Sequence, residues 1–154
     1  MKFKNYLSFI VLVIIIIWPI SVLKSENEKK TLFFIIINSE NSYNNKIDRG
    51  FRKVGLVYKG NSKKWADKIK ATFFSRGANN PAKIEFYRKV LNMEVNEINS
   101  YWKKKAANGS YRPKTIVDIR KLINEISRNK GSISVIAQSE IEKLPAKIRV
   151  LYEY

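Results

Sequence analysis

The sequence predicts an α/β fold, a mixed β-sheet of about four to five strands flanked by helices. Short apolar runs rich in Ile, Val and Phe alternate along the chain with longer segments whose apolar residues recur at helical spacing. That alternation is typical of a sheet whose strands are connected by helices. No internal repeat or low-complexity linker interrupts residues 31–154, so we expect one compact domain over 26–154.

The sequence of residues 31–109 predicts two strands and three helices. The run TLFFIIIN, residues 31–38, is apolar throughout and bounded by charged and polar residues, as in a strand buried on both faces. A polar loop leads to a helix over 47–58, whose apolar residues lie three or four positions apart. The run KIKATFF, 68–74, begins with polar and apolar residues in alternation and predicts the second strand. Helices over 81–92 and within 92–109 follow.

The last part predicts one long helix and two strands. Isoleucine and leucine recur at helical spacing through 114–129. The runs GSISVIA, 131–137, and KIRVLYEY, 147–154, then predict two short strands. The sheet and its helices would account for nearly all of the domain.

Residues 1–25 have the order of a secretory signal peptide. Lys2 and Lys4 give a positive start, an apolar stretch over 7–23 follows, and Ser25 supplies a small residue for cleavage. The apolar stretch is slightly short for a spanning helix, so it predicts either a removed signal peptide or a retained N-terminal membrane anchor. Both alternatives predict an exported chain, periplasmic or secreted, that meets the membrane only through this segment if it is uncleaved.

The composition favours anionic partners and argues against an enzyme. Thirty Lys and Arg residues stand against 13 Asp and Glu, a formal net charge of +17, and such a field attracts oxyanions and anionic polymers. We expect no nucleic-acid partner, because the chain is predicted to be exported. The sequence has no His, no Cys and no P-loop pattern, so the usual general base, thiolate and metal ligands are absent. We therefore expect no catalytic residue, no cofactor and no metal site.

The stretch RGANNPAKIEFYRKVL, 76–91, is the sharpest local feature. Asn80 fits an N-cap and Pro81 fits the first helical position, so the stretch predicts a helix start. Such an end presents unpaired N–H groups and favours negative charge. Arg76, Asn79, Asn80 and Lys83 would then converge on a volume suited to an oxyanion. The alternative is that the same residues only start a helix.

Two serines are further candidates for the same site. Ser39 and Ser42 lie in the loop after the first predicted strand. Ligands of α/β sheets gather beyond the carboxyl ends of the strands. We therefore expect their hydroxyls to approach the anion from the edge of the sheet.

Several segments together resemble the phosphate-type solute-binding proteins of ABC transporters. VYKGNSKKWADKIKATFF, 57–74, resembles a helix–turn–strand segment of that family, and NNPAKIEFYRKVLNMEVNEINSYW, 79–102, resembles the two helices after it. NKGSISVIAQSEI, 129–141, resembles the family's closing strand and short helix. The resemblance implies a type II periplasmic-binding-protein-like fold, here as a single lobe. It also implies that an oxyanion is held at helix N-termini, one of them the helix at Pro81.

Two departures from the family pattern open a second interpretation. Where fuller members carry Ser-Gly-Thr, this chain has amides, a proline and an alanine over 79–82, and we expect its length to hold about one of the family's two lobes. One hypothesis is an exported solute-binding-protein-like domain that binds phosphate or another small oxyanion for uptake through an ABC permease. The other is a ligand-free envelope module that uses its basic surface to bind a partner protein or an anionic polymer.

Overall fold

The computed structural model describes residues 31–43, 51–109 and 112–154. The predicted signal peptide or anchor and the first residues of the helix predicted over 47–58 lie outside these ranges. Residues 31–154 form one compact unit. Within the described ranges, no helix combines the length and the apolar character needed to cross a membrane.

The core of the unit is a four-stranded mixed sheet, as predicted. Its strands are β1 (Phe33–Asn38), β2 (Thr72–Phe73), β3 (Ser132–Ala137) and β4 (Ile148–Glu153), in the spatial order β2-β3-β1-β4. β2 runs parallel to β3, whereas β1 runs antiparallel to both β3 and β4. The N-terminal strand β1 therefore occupies the interior of the sheet, and β2 and β4 form its edges.

The second strand is shorter than predicted over 68–74. Residues 63–71 turn back on themselves: Ala71 N–H donates to the Lys63 carbonyl, and Lys68 adopts a positive φ of 65°. Trp65 anchors this turn, because its Nε1–H donates to the Gly131 carbonyl at 2.9 Å. Only Thr72 and Phe73 then remain to pair with β3.

Four helices flank the sheet. They are α1 (Arg52–Tyr58), α2 (Pro81–Phe86), α3 (Val95–Ala107) and α4 (Ile119–Arg128), and α2 continues into a π-helical turn over Tyr87–Leu91. α4 begins later than the predicted 114–129, because Ile116 N–H donates to the Ser75 carbonyl and Asp118 caps the helix through Lys121 N–H.

The helices cover both faces of the sheet, which explains why β1 is apolar from Phe33 to Ile37. Ile35 and Ile37 pack with α1, α2 and α3 in one buried cluster. Ile36, on the opposite face, packs with Leu122 and Ile126 of α4. A strand covered on both faces needs no polar alternation.

Candidate functional site

The carboxyl ends of β2 and β3 lie side by side at one end of the sheet because these two strands are parallel. Arg76 lies just beyond β2, and Glu140 lies just beyond β3, in the short 3₁₀ turn Gln138–Glu140. Asn80 and Lys83 of the α2 entrance reach the same place. We call Arg76, Asn80, Lys83 and Glu140 the carboxylate corner.

Arg76 is the charged centre of the carboxylate corner. The residue is only 2% exposed. Its Nη1 donates to the Ile116 carbonyl at 2.7 Å, and its Nη2 pairs with Glu140 Oε1. Its Nε has no acceptor among the residues that the structure describes. A buried guanidinium requires a nearby negative charge, and the chain supplies that charge itself.

Asn80 performs two functions with its two amide atoms. Its Oδ1 accepts from Lys83 N–H at 3.2 Å and caps α2, as the sequence predicts. Its Nδ2 donates to Glu140 Oε1 at 3.2 Å. The other carboxylate oxygen, Oε2, accepts from Ala137 N–H at 2.8 Å. Glu140 Oε1 is therefore engaged by two donors of this corner, and Oε2 by the backbone of β3.

Lys83 completes the corner from the first turn of α2. Its Nζ donates to the Arg76 carbonyl at 3.1 Å and lies 5.7 Å from the centre of the Tyr87 ring. Partial burial, together with the charge of Arg112, lowers the pKa of the Lys83 ammonium. Lys83 therefore holds the backbone of the corner at the Arg76 carbonyl.

The structure does not bring the two candidate serines to this corner. β1 is antiparallel to β3, so the loop after β1 lies at the opposite end of the strands from Arg76. There Ser42 Oγ donates to Asp67 at 2.6 Å, and Ser39 N–H donates to the Lys147 carbonyl. The structure thus places Ser39 and Ser42 away from the helix entrance that we expected them to approach, because β1 runs antiparallel to β3. Asn79 is exposed in the turn before α2.

Sequence reasoning missed Glu140. The residue is 64 positions from Arg76 along the chain, and only the parallel pairing of β2 with β3 makes the two neighbours. The available signal was its place directly after an apolar strand, where α/β sheets position functional side chains. Across the described residues, no group of three or more acidic side chains is arranged to hold a metal ion.

Comparison with known proteins places the fold but not the ligand. No protein-family model and no curated protein matches this chain. Among solved structures, it resembles a putative phosphate ABC transporter substrate-binding protein with bound phosphate from Clostridium perfringens, with a TM-score of 0.56 and 10% identity over 79% of this chain and 44% of that one.

Two further solved structures resemble this chain to a similar degree. An ABC-type phosphate transport receptor from Vibrio cholerae gives a TM-score of 0.54 at 9% identity, over 79% of this chain and 45% of that one. PstS from Borrelia burgdorferi gives 0.53 at 15% identity, over 79% and 46%. The predicted periplasmic-binding-protein-like α/β fold is thus confirmed, and the chain spans less than half the length of each of these proteins.

Proposed function

We propose that this chain is an exported envelope module with a solute-binding-protein fold, in which its own Glu140 occupies the place predicted for an oxyanion. The module then binds an anionic polymer or an acidic partner protein through its basic surface. The observation that carries this proposal is the Glu140 carboxylate, which takes one donor from Arg76 and one from Asn80.

A bound carboxylate and a free oxyanion require the same donors. Arg76 and Asn80 would hold phosphate through charge-assisted hydrogen bonds, and they make such bonds to Glu140 instead. Glu140 is tethered to the fold, so its effective concentration at Arg76 is far above that of a dissolved ion. A small oxyanion therefore competes poorly at this corner.

The basic residues outside the carboxylate corner are not neutralised in this way. The full chain carries 30 basic and 13 acidic residues, and the part that the structure describes has three ion pairs. Among the described residues, most lysines and arginines are exposed and belong to none of these ion pairs, and their summed field attracts polyanions. Binding of this kind weakens as salt rises, because exposed charges are screened.

The test is calorimetric titration of the full chain and of a Glu140→Ala variant with orthophosphate, with sulfate and with long-chain polyphosphate. We expect the wild-type chain to bind polyphosphate in a salt-sensitive manner and to show no saturable heat with orthophosphate. The variant should gain one-to-one orthophosphate binding with a Kd below about 1 mM. A Glu140→Gln variant, which keeps an acceptor for Arg76, should gain less.

The opposite pattern would reject the proposal. One-to-one orthophosphate binding by the wild-type chain that persists at high salt and disappears in Arg76→Ala would establish a solute receptor. That second candidate, binding of phosphate or another small oxyanion for uptake through an ABC permease, is favoured by the likeness to a structure with bound phosphate. It requires Glu140 to leave Arg76 before the ligand enters.

A further inference from the structure

A basic cleft of about 530 Å³ lies beside edge strand β2, and none of the four residues of the carboxylate corner lines it. Five cationic residues line it: Lys59, Lys63, Lys70, Arg112 and Lys114. We call this concavity the β2 cleft. It brings together residues from the end of α1, from the turn before β2 and from the segment that precedes α4.

The cations of the β2 cleft have no acidic counterpart. No Asp or Glu belongs to its lining. The ion pairs in the described part of the chain are Arg76 with Glu140 and Arg88 with two glutamates, so none of the five takes part in one. Like charges around one concavity repel one another, and concave walls focus their field. The cleft is therefore set up to attract negative charge from outside the chain.

The inner wall of the cleft is aromatic and buried. Tyr58, Phe73 and Trp102 line it and are each 5% exposed or less. Tyr58 packs edge-on against both Phe73 and Trp102, with ring centroids 4.7 and 6.0 Å apart. The positive rim thus lies above a packed aromatic floor.

The size of the cleft and the number of its cations select the ligand class. A volume of about 530 Å³ lies within the range of organic ligand pockets and far exceeds the needs of a single phosphate. Five positive charges can be neutralised together only by an anion that carries several charges within a short span. Linked phosphates meet that requirement, since each carries strong acceptor oxygens for Lys and Arg.

We infer that the β2 cleft binds linked phosphates, either as a short segment of a polyphosphate polymer or as a free oligophosphate. The inference rests on the proposed function, because it gives the polyanion-binding surface a location. It assigns no role to Arg76, Asn80 or Glu140. Recognition would consist of salt-sensitive contacts from the five cations.

The experiment is calorimetric titration of the full chain with inorganic tripolyphosphate and with long-chain polyphosphate. The test variant is Lys63→Gln together with Lys70→Gln, since both side chains are exposed and their removal leaves the backbone bonds of the turn intact. The matched control is Lys121→Gln together with Lys143→Gln, two exposed lysines outside the cleft with the same change in net charge.

We expect the cleft variant to weaken tripolyphosphate binding at least about tenfold and the control variant by less than about threefold. Comparable affinities for the two ligands per bound phosphate group would indicate a polymer segment, and a preference for tripolyphosphate would indicate a free oligophosphate.

Two results would overturn the inference, and they separate it from the proposed function. Equal losses in the cleft and control variants, with polyphosphate still bound, would show that the polyanion surface lies elsewhere and would leave the proposed function standing. Failure of the wild-type chain to bind tripolyphosphate or polyphosphate at low salt would rule out the cleft as a site for linked phosphates. It would also restrict the proposed function to acidic partner proteins.

Discussion

The carboxylate corner and the β2 cleft both gather positive charge, but only the corner contains a carboxylate to neutralise it. Arg76 is 2% exposed, whereas Lys63 and Lys70 of the cleft lie in solvent. A charge removed from water must be paired within the fold, because its desolvation costs several kcal/mol. Exposed cations are stabilised by water and need no internal partner. A buried cation is therefore used within the fold, whereas an exposed cation remains available to ligands.

The largest effect should follow removal of the carboxylate from the corner. Glu140→Ala leaves the buried Arg76 guanidinium without its counter-charge, and we expect it to lower the free energy of unfolding by about 3 kcal/mol. Urea denaturation monitored by circular dichroism measures this loss. Addition of orthophosphate should recover part of it, since a ligand that binds the folded state stabilises it.

The neighbouring carboxylate provides the control for this prediction. Glu142 is exposed, so Glu142→Ala should change the free energy of unfolding by less than about 0.5 kcal/mol. Equal effects of the two substitutions would mean that Glu140 is a surface charge and that the corner does not depend on it.

A smaller effect should come from the tyrosine pair between the two regions. Tyr58 lines the cleft, Tyr87 lies beneath Lys83 of the corner, and the two hydroxyls are hydrogen-bonded at 2.8 Å. Burial raises the pKa of both hydroxyls, and in Tyr58 the neighbouring Tyr87 raises it further. A raised pKa contributes stability that is full below about pH 10 and is lost as the pH rises beyond it.

We therefore expect the free energy of unfolding to fall above about pH 10, by up to about 1.4 kcal/mol per pH unit for each tyrosine. Lys83 works in the opposite direction, because its lowered pKa makes the folded state gain stability as that ammonium loses its proton. Urea denaturation of wild type and of Tyr58→Phe with Tyr87→Phe, at matched alkaline pH, measures the difference. An unchanged slope in the double variant would assign alkaline unfolding to other groups, such as Tyr154, whose pKa burial also raises.

The smallest effect should be on stability when cleft lysines are removed. Lys63→Gln with Lys70→Gln should shift the free energy of unfolding by less than about 0.5 kcal/mol, toward greater stability, because repulsion among cleft cations is relieved. The shift should be present at about 0.02 M salt and absent at about 0.5 M. Denaturation at both salt concentrations measures it, and a large loss of stability would mean that these lysines belong to the packed fold.

Much of the fold could be predicted from local patterns. The unbroken apolar run of β1 correctly predicted a strand buried on both faces, and Asn80-Pro81 correctly predicted the start of α2. The predicted bounds were wrong where contacts between residues distant in the sequence determine the structure. Residues 68–71 turn because Trp65 bonds to Gly131, and α4 starts late because Ile116 bonds to Ser75.

The candidate site was predictable only in part, for a related reason. Arg76, Asn80 and Lys83 lie within eight residues of one another, so their proximity follows from a single turn and helix start. Glu140 lies in the turn after β3, and the direction of β1 places Ser39 and Ser42 at the other end of the sheet. Strand direction depends on long-range pairing, which local propensity does not encode.

The position of β1 also determines the order in which the molecule can fold. Ile35 pairs with Val135 and Ile36 pairs with Val150, so about a hundred residues must be made before the central strand finds either neighbour. Contacts this distant along the chain slow folding, and the apolar β1 run has no partner strand in the sheet until β3 has been made. Completion of the last strands, rather than emergence of the first, therefore sets the time at which the sheet can close.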